Sequence, residues 1–187
     1  HMSLKPSLYF IALIPRSELS DKITTVKNDF TRHYHSSKAL NVMPHITLQN
    51  PFSRMESFET EFHLRLQDFF STLHAFNVQL SGYDCFDNKT NPVIFINVVK
   101  NDLLFELHKK MIYFLREEMN FSAKESSYTF HPHFTVAYRD LTDEQFNKAS
   151  PIYKNKTFEG SFVSDAVYLL KHDYRKWNVL SRFDLVR

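Results

Sequence analysis

The chain has 187 residues, is 43% hydrophobic and 16% aromatic, and carries a formal net charge of +2 at pH 7. These values fit one globular domain with a sizeable core, and they exclude a disordered chain. The 2 glycines, Gly82 and Gly160, lie too far apart for a dinucleotide fingerprint or a Walker loop, so side chains must hold any bound phosphate. The single cysteine, Cys85, excludes an internal disulfide and disfavours a cysteine-based zinc site.

We expect no secretory leader and no membrane span, because no charged segment precedes an apolar run with a cleavage site and no apolar stretch approaches membrane-spanning length. We therefore expect a cytoplasmic protein with no membrane partner, and we interpret the leading His1-Met2 as a cloning remnant. The small net charge does not predict an extended nucleic-acid surface, although it is compatible with short phosphorylated substrates. No heptad pattern, linker or composition break is present, so we expect a monomer with no protein partner and a single domain over residues 1–187.

The first half of the chain alternates strand and helix patterns. A continuous apolar run at 8–14 is too short for a helix and predicts a buried strand. Ser20 and Asp21 are N-cap candidates for a helix that reaches about Tyr34. The patterns that follow predict a strand at 44–48 ended by Pro51, a helix at 55–73, and a hairpin of strands at 76–80 and 93–99 around a turn-rich segment at 84–92.

The second half repeats this order loosely. Asp102 is the predicted cap of a helix to about Met119, and Thr142 opens a short helix at 143–149. The remaining patterns predict strands at 129–138, 158–164, 166–170 and 177–185, with a polar turn at 172–176 joining the last two.

A pentapeptide with the pattern Pro-His-x-Thr-aliphatic occurs twice, first as Pro44-His45-Ile46-Thr47-Leu48 and then as Pro132-His133-Phe134-Thr135-Val136. In a chain with 10 histidines a lone His-x-Thr is expected by chance, but two copies that each follow one of only 7 prolines are not. The alternative, a solvated strand face that begins at proline, is weaker for a matched pair than for one copy.

Side chains alternate between the two faces of a strand, so His45 and Thr47 point the same way, as do His133 and Thr135. Two such strands side by side bring two imidazoles and two hydroxyls into one cleft. One imidazole can accept a proton while the other donates one, and the hydroxyls can stabilise an oxyanion. This set of groups fits the cleavage or formation of a phosphodiester, and which histidine is the acid stays open.

The two motif histidines are separated by close to half the chain. Self-similarity at this spacing predicts two related strand–helix lobes that face each other, with repeated halves at about 3–100 and 101–187. The predicted fold class is therefore α+β and bilobal.

The two pentapeptides, with Phe130-His131 before the second, resemble the motifs of the two-histidine phosphoesterases, which include the LigT-like 2′-5′ RNA ligases and the cyclic nucleotide phosphodiesterases. The resemblance extends more weakly to the opening strand and the closing hairpin. It implies a pseudo-two-fold α+β fold whose antiparallel-rich sheets face a central cleft. It also implies metal-independent chemistry, without a cofactor, on 2′,3′-cyclic phosphates or 2′-5′ linkages of RNA ends or small nucleotides.

Three further residues are candidates for substrate binding. Sequences of this family often carry an arginine five positions after the second motif histidine, whereas here Arg139 stands at the sixth position. A regular strand puts Arg139 on the face of His133, where it can clamp a phosphate oxygen, and a bulge would turn it away. Gln49 shares the face of His45 by the same alternation. Tyr138 can stack a base, although alternation puts it on the opposite face from Arg139, which favours a core position.

Two other functions compete with this hypothesis. The first is an RNA- or nucleotide-binding module of the same fold with little turnover, which has no chemical need for two titrating groups. The second is a metal-dependent hydrolase built on His131 and His133, and His33 and His35 form a similar pair. A lone His-x-His is more often solvated than metal-bound, so we expect no metal.

The remaining basic and aromatic residues predict no site. We expect the histidines of the predicted helices, His63, His74 and His108, to lie at the surface or in caps. Phe52 and Phe130, near the motifs, could stack a base, but a core position is at least as well supported. The basic cluster of Lys171, Arg175 and Lys176 is expected to be solvated charge.

Overall fold

The computed structural model describes residues 5–187, so the proposed cloning remnant at positions 1 and 2 lies outside the described residues. Within this range, eight strands and five α-helices follow one another along the chain. In chain order they are β1 (Ser7–Leu13), α1 (Ser17–Tyr34), β2 (Ile46–Arg54), α2 (Glu59–Phe70), β3 (Phe76–Phe86), β4 (Val93–Val98), α3 (Asp102–Glu118), α4 (Ala123–Ser126), β5 (His133–Ala137), α5 (Asp143–Lys154), β6 (Glu159–Ser164), β7 (Ala166–His172) and β8 (Trp177–Asp184).

The strands form two four-stranded antiparallel sheets, with the orders β2-β1-β7-β8 and β5-β4-β3-β6. In each sheet the motif strand is at the edge and pairs with the strand that precedes it, which a helix connects to it: β1-α1-β2 in the first sheet and β4-α3-β5 in the second. The predicted α+β fold with two pseudo-symmetric lobes is confirmed.

The two lobes are not consecutive segments of the chain. The first sheet joins β1 and β2 to β7 and β8, and the second joins β3 and β4 to β5 and β6, so each sheet takes two strands from each side of residue 100. Neither half of the chain contains a whole sheet, and the single domain with repeated halves at about 3–100 and 101–187 stays a prediction.

One apolar core connects both sheets and the helices packed on them. Helix α1 shows how the sequence builds it, because Ile23, Val26 and Phe30 recur at helical spacing and are at most 8% exposed. In β1 the five residues Tyr9–Leu13 are all buried, as a strand with neighbours on both sides requires. None of the helices within residues 5–187 is long and apolar enough to cross a membrane.

Strand β2 continues through Pro51, where the sequence predicts its end. Across β1, Tyr9 pairs with Phe52 and Ile11 pairs with Gln49, so two residues of β2, Asn50 and Pro51, lie opposite one residue of β1. Proline is tolerated in such a bulge on an edge strand because its missing N–H breaks no ladder bond.

The second motif strand is shorter than predicted. β5 begins at His133 and ends at Ala137, so 129–132 and Tyr138 lie outside it. The segment before it includes the four-residue helix α4, which the sequence analysis did not predict. A capping box at its N-terminus, formed by Ser122 and Glu125, is the signal that was available.

Other helix ends also differ from the predictions. Helix α1 begins at Ser17, so Ser20 and Asp21 lie within its first turns and are not caps. Helix α2 is shorter than 55–73 because a separate 3-10 turn occupies 56–58. The cap of α3 is Asn101, whose side chain accepts from the N–H of Leu104, and α5 runs past Ala149 to Lys154.

The predicted hairpin is present, with β3 extended to Phe86. Gly82 has a φ of 73°, and the β3–β4 register shifts between Leu80 and Tyr83, so this glycine adopts the backbone conformation that the irregularity needs.

Candidate active site

His45 immediately precedes β2, and its Nδ1 donates a hydrogen bond to the Met43 carbonyl oxygen at 2.8 Å. The next residues alternate as predicted: Ile46 and Leu48 are fully buried, whereas Thr47 is half-buried. Burial, together with the positive charges of Lys27 and His133, lowers the pKa of His45 to about 4, although the hydrogen bond to the Met43 carbonyl oxygen raises it. The imidazole is therefore neutral at pH 7.

His133 begins β5 in an equivalent arrangement, because its Nδ1 donates to the His131 carbonyl oxygen two residues earlier. Phe134 and Val136 are fully buried behind it, and Thr135 is half-buried on the side of the histidine. The rings of Phe86 and Phe95 lie 5.2 and 4.9 Å from the His133 ring. Burial lowers the pKa of His133, and the nearby His131 lowers it further.

The two matched hydrogen bonds determine the tautomers. A carbonyl oxygen only accepts, so each Nδ1 carries its hydrogen, and Nε2 is the nitrogen that gains or loses the proton. Each motif histidine thus offers one free titrating nitrogen, and its ring is oriented by the carbonyl oxygen of the residue just before its motif. This is the arrangement that proton transfer at a substrate requires.

A cavity of about 190 Å³ opens between the two motif strands, which contact each other. Its walls include the predicted residues His45, Thr47, Thr135, Tyr138 and Arg139, and the residues Phe10, Ala39, Val42, Asn50, Pro51 and Trp177 complete it. We call it the catalytic cavity. His133 is not among its lining residues, but it lies close enough for its charge to lower the pKa of His45.

Arg139 and Tyr138 reach the catalytic cavity by a route that the sequence did not predict. The strand ends at Ala137 and Arg139 has a φ of 55°, so the regular alternation expected through residue 139 is wrong. The turn brings both side chains to the cavity, and the Arg139 guanidinium lies 5.2 Å from the centre of the Tyr138 ring. The core position that alternation favoured for Tyr138 is therefore wrong as well.

Gln49 does not line the catalytic cavity. Its side chain is fully buried, and its Nε2 donates to the carbonyl oxygens of Asn50 at 3.0 Å and Glu125 at 2.9 Å. Its amide therefore joins the bulged part of β2 to α4.

Two residues that the sequence analysis missed hold the wall formed by residues 36–42. The buried Lys27 donates from Nζ to the carbonyl oxygens of Ala39 and Val42, both at 2.9 Å, and burial lowers its pKa to about 8. A lysine within the apolar stripe of α1 was a signal for such a role. Across the cleft, Asp140 accepts from Ser36 Oγ at 2.8 Å and from the Ser37 N–H at 2.9 Å.

The other histidines have separate environments. His33, His35 and His131 are exposed, and the His131 and His133 rings are 5.9 Å apart. Within residues 5–187, no group of three or more His, Cys, Asp or Glu side chains is arranged to hold a metal ion. His108 is half-buried and stacks on Phe130 at 3.8 Å, which contradicts its expected surface position.

The aromatic residues that competed for a base-stacking role lie elsewhere. Phe52 is 3% exposed and belongs to the core. Phe130 packs against the same core and contacts the ring of Phe105 in α3. Neither lines the catalytic cavity.

A family model described as the 2′-5′ RNA ligase superfamily matches residues 15–176. The chain belongs to this superfamily. Within it the chain is a LigT-like two-histidine phosphoesterase by fold and family, as the two motifs predicted.

Relatives and solved structures of the superfamily match nearly the whole chain. A Bacillus licheniformis protein provisionally named a phosphoesterase is 27% identical over 178 residues, which cover 95% of this chain and 98% of that protein. The crystal structure of Escherichia coli LigT complexed with 3′-AMP has a TM-score of 0.72 at 17% identity and covers 98% of this chain and 100% of its own. A Thermus thermophilus protein has a TM-score of 0.72 at 17% identity, with coverages of 95% and 97%. The two structures establish the shared fold.

Proposed function

We propose that this superfamily member is a metal-independent phosphodiesterase that acts on 2′,3′-cyclic phosphates or 2′-5′ linkages of RNA ends or small nucleotides in the cytoplasm. The observation that carries the proposal is the matched pair of Nδ1-to-carbonyl hydrogen bonds, which leaves Nε2 of both His45 and His133 free to transfer a proton. The 3′-AMP bound to Escherichia coli LigT is the kind of product that such a reaction leaves, and it supports the substrate class.

In the proposed hydrolysis, one histidine takes a proton from water while the water oxygen attacks phosphorus. The phosphorus–oxygen bond to a ribose oxygen breaks, and the second histidine gives its proton to that leaving oxygen. Thr47 and Thr135, which line the catalytic cavity, donate hydrogen bonds to the non-bridging oxygens as negative charge develops on them. Arg139 and Tyr138 supply a charge for the phosphate and a ring for the base.

The two histidines have unequal environments, which favours a division of roles. Burial and the nearby positive charge of Lys27 give His45 a pKa of about 4, so it enters the reaction neutral and suits the base of hydrolysis. His133 then acts as the acid. The reverse reaction, ligation, uses the same two groups with exchanged roles.

The test is the turnover of 2′,3′-cyclic nucleotides with EDTA present, for the wild type, His45→Ala and His133→Ala. The matched control is His33→Ala, which removes an exposed histidine at the end of α1. We expect wild-type and control activity, and loss of activity in both motif variants. Full turnover by either motif variant would contradict the paired mechanism, and activity abolished by EDTA would favour a metal-dependent hydrolase.

The alternative is a nucleotide-binding module with little turnover, which the fold alone would equally support. Calorimetric binding of a 2′,3′-cyclic nucleotide, without turnover by the wild type, would favour it.

A further inference from the structure

A second cavity of about 320 Å³ adjoins the catalytic cavity, and the two share Tyr138, Arg139 and Trp177 as a common wall. Its other lining residues come from the 3-10 helix at 38–41, from β1 and from the β7–β8 turn: Leu8, Lys38, Asn41, His172, Tyr174 and Arg175. The catalytic cavity alone is smaller than the ~300–1,000 Å³ typical of small-molecule sites. A substrate larger than the reacting phosphate and its ribose therefore extends into the second cavity.

The cations of the second cavity are free to bind an anion. Within residues 5–187, Lys38, Arg139 and Arg175 form no salt bridge with a carboxylate, whereas many other basic side chains do. The acidic residue of the same turn, Asp173, accepts the N–H groups of Arg175 and Lys176, so it shapes the turn. In the part of the chain that the structure describes, no acidic side chain lines the cavity. Cationic side chains that are not paired with a carboxylate suit phosphate oxygens.

Aromatic rings connect the two cavities. The Phe10 ring lies 4.9 Å from His45 in the catalytic cavity and 4.6 Å from Trp177, and the Trp177 ring lies 5.0 Å from His172 in the second cavity. Tyr174, at the tip of the turn, also lines the second cavity, and its side chain is 83% exposed. Its φ of 76° is unfavourable for tyrosine, so the turn holds a large apolar ring in solvent at a conformational cost.

The geometry points to a second nucleotide subsite, in which the phosphate of the neighbouring nucleotide binds Lys38 and Arg175 and its base stacks on Tyr174. The substrate is then a single-stranded oligonucleotide whose terminal phosphate reacts in the catalytic cavity, and not a free mononucleotide. This inference rests on the proposed function, and it gives Arg175 a binding role where the sequence predicts only solvated charge. Exposed rings beside unpaired cations are the usual means of binding a single strand without reading its sequence.

The experiment compares kcat/KM for a 2′,3′-cyclic mononucleotide and for a trinucleotide that ends in the same cyclic phosphate. Wild-type protein should prefer the trinucleotide by about tenfold or more, because stacking one base contributes substantially to binding. Tyr174→Ala and Arg175→Ala should each remove most of that preference and change mononucleotide turnover less than about twofold, since neither residue lines the catalytic cavity. Tyr113→Ala and Arg116→Ala, which remove exposed side chains of α3, are the matched controls.

A parallel binding measurement uses fluorescence anisotropy with a labelled trinucleotide 3′-phosphate at several salt concentrations. Arg175→Ala should weaken binding and reduce its salt dependence, whereas Tyr174→Ala should weaken binding without changing the salt dependence.

Equal kcat/KM for the two substrates, or equal losses on both in the variants, would overturn the subsite while leaving the proposed function intact. Polyglutamate that competes as well as an unlabelled trinucleotide would also overturn it, since that result indicates a general acidic partner. If neither substrate is turned over, the proposed function is wrong, and the anisotropy measurement still decides whether the subsite exists.

Discussion

The two motif strands present the same chemical groups from unlike surroundings. β2 has nine residues, continues through a bulge to Arg54, and has the buried Lys27 near its histidine. β5 has five residues and ends in a turn, and its histidine lies among the rings of Phe86 and Phe95. Identical pentapeptide chemistry can therefore give histidines with different proton affinities, because those affinities depend on groups outside the motifs.

The largest expected effect comes from removing either imidazole. His45→Ala and His133→Ala should each lower kcat by about 10²–10⁴-fold, the usual contribution of a positioned acid or base. The two substitutions should differ in how they change the pH dependence of kcat/KM, because the two histidines have different roles. The wild-type kcat/KM should rise with pH through the pKa of His45, about 4, and fall through that of His133, which burial holds below 6.5. The optimum then lies on the acid side of neutrality.

Residual activities measured from pH 3.5 to 8 check this division. His45→Ala should lose the acid limb of the profile and His133→Ala the alkaline limb. The opposite assignment of limbs would exchange acid and base, and a wild-type optimum above pH 7 would contradict the lowered pKa values of the two histidines.

The next effect comes from the hydroxyls. Thr47→Val and Thr135→Val keep the shape of each side chain but remove the proposed donor to a non-bridging oxygen. Each should lower kcat by about 10²-fold with a smaller change in KM, because the hydrogen bond from the hydroxyl strengthens as negative charge develops on the phosphate oxygen in the transition state. Thr25→Val, on the exposed face of α1, is the control. A change confined to KM would assign the hydroxyls to ground-state binding.

Lys27→Met should have a smaller effect on the rate at the optimum but a specific one on its pH dependence. Removing the positive charge raises the pKa of His45, so the acid limb of kcat/KM should move to higher pH while the alkaline limb stays in place. The carbonyl oxygens of Ala39 and Val42 also lose their donor, which should cost about 1–3 kcal/mol of the free energy of unfolding. Steady-state profiles and urea unfolding measure the two effects separately.

Lys22→Met is the control for the loss of a lysine from the same helix, because Lys22 bonds the exposed Glu159 carbonyl oxygen and does not affect the pKa of His45. If the acid limb of kcat/KM does not move in Lys27→Met, Lys27 has only a structural role.

The smallest expected effect tests the bulge in β2. Pro51 is exposed, has no paired partner in β1 and belongs to an edge strand, so Pro51→Ala should change the free energy of unfolding by less than about 0.5 kcal/mol. Urea unfolding measures it. A loss of several kcal/mol would mean that the proline ring, and not the edge position, maintains the bulge.

The sequence predicted the family, the fold class and the residues of both motifs, because repeated local patterns carry that information. It missed what long-range contacts decide. Strand alternation failed at Gln49, where the β1–β2 register shifts between Ile11 and Ala12, and at Arg139, because the strand ends two residues earlier. Asp140 holds Ser36 and Ser37 from more than half the chain away, which no periodicity reveals.

The division of each sheet between the two halves of the chain has a consequence for synthesis on the ribosome. β1 pairs with β2 soon after it emerges, but its other edge stays unpaired until β7, which begins at Ala166, has been made. The first sheet, and with it the wall that Trp177 gives to both cavities, can therefore form only after β7 and β8 have been translated. An interrupted chain would carry both motif histidines and still have an open sheet edge prone to aggregation in place of a closed cleft.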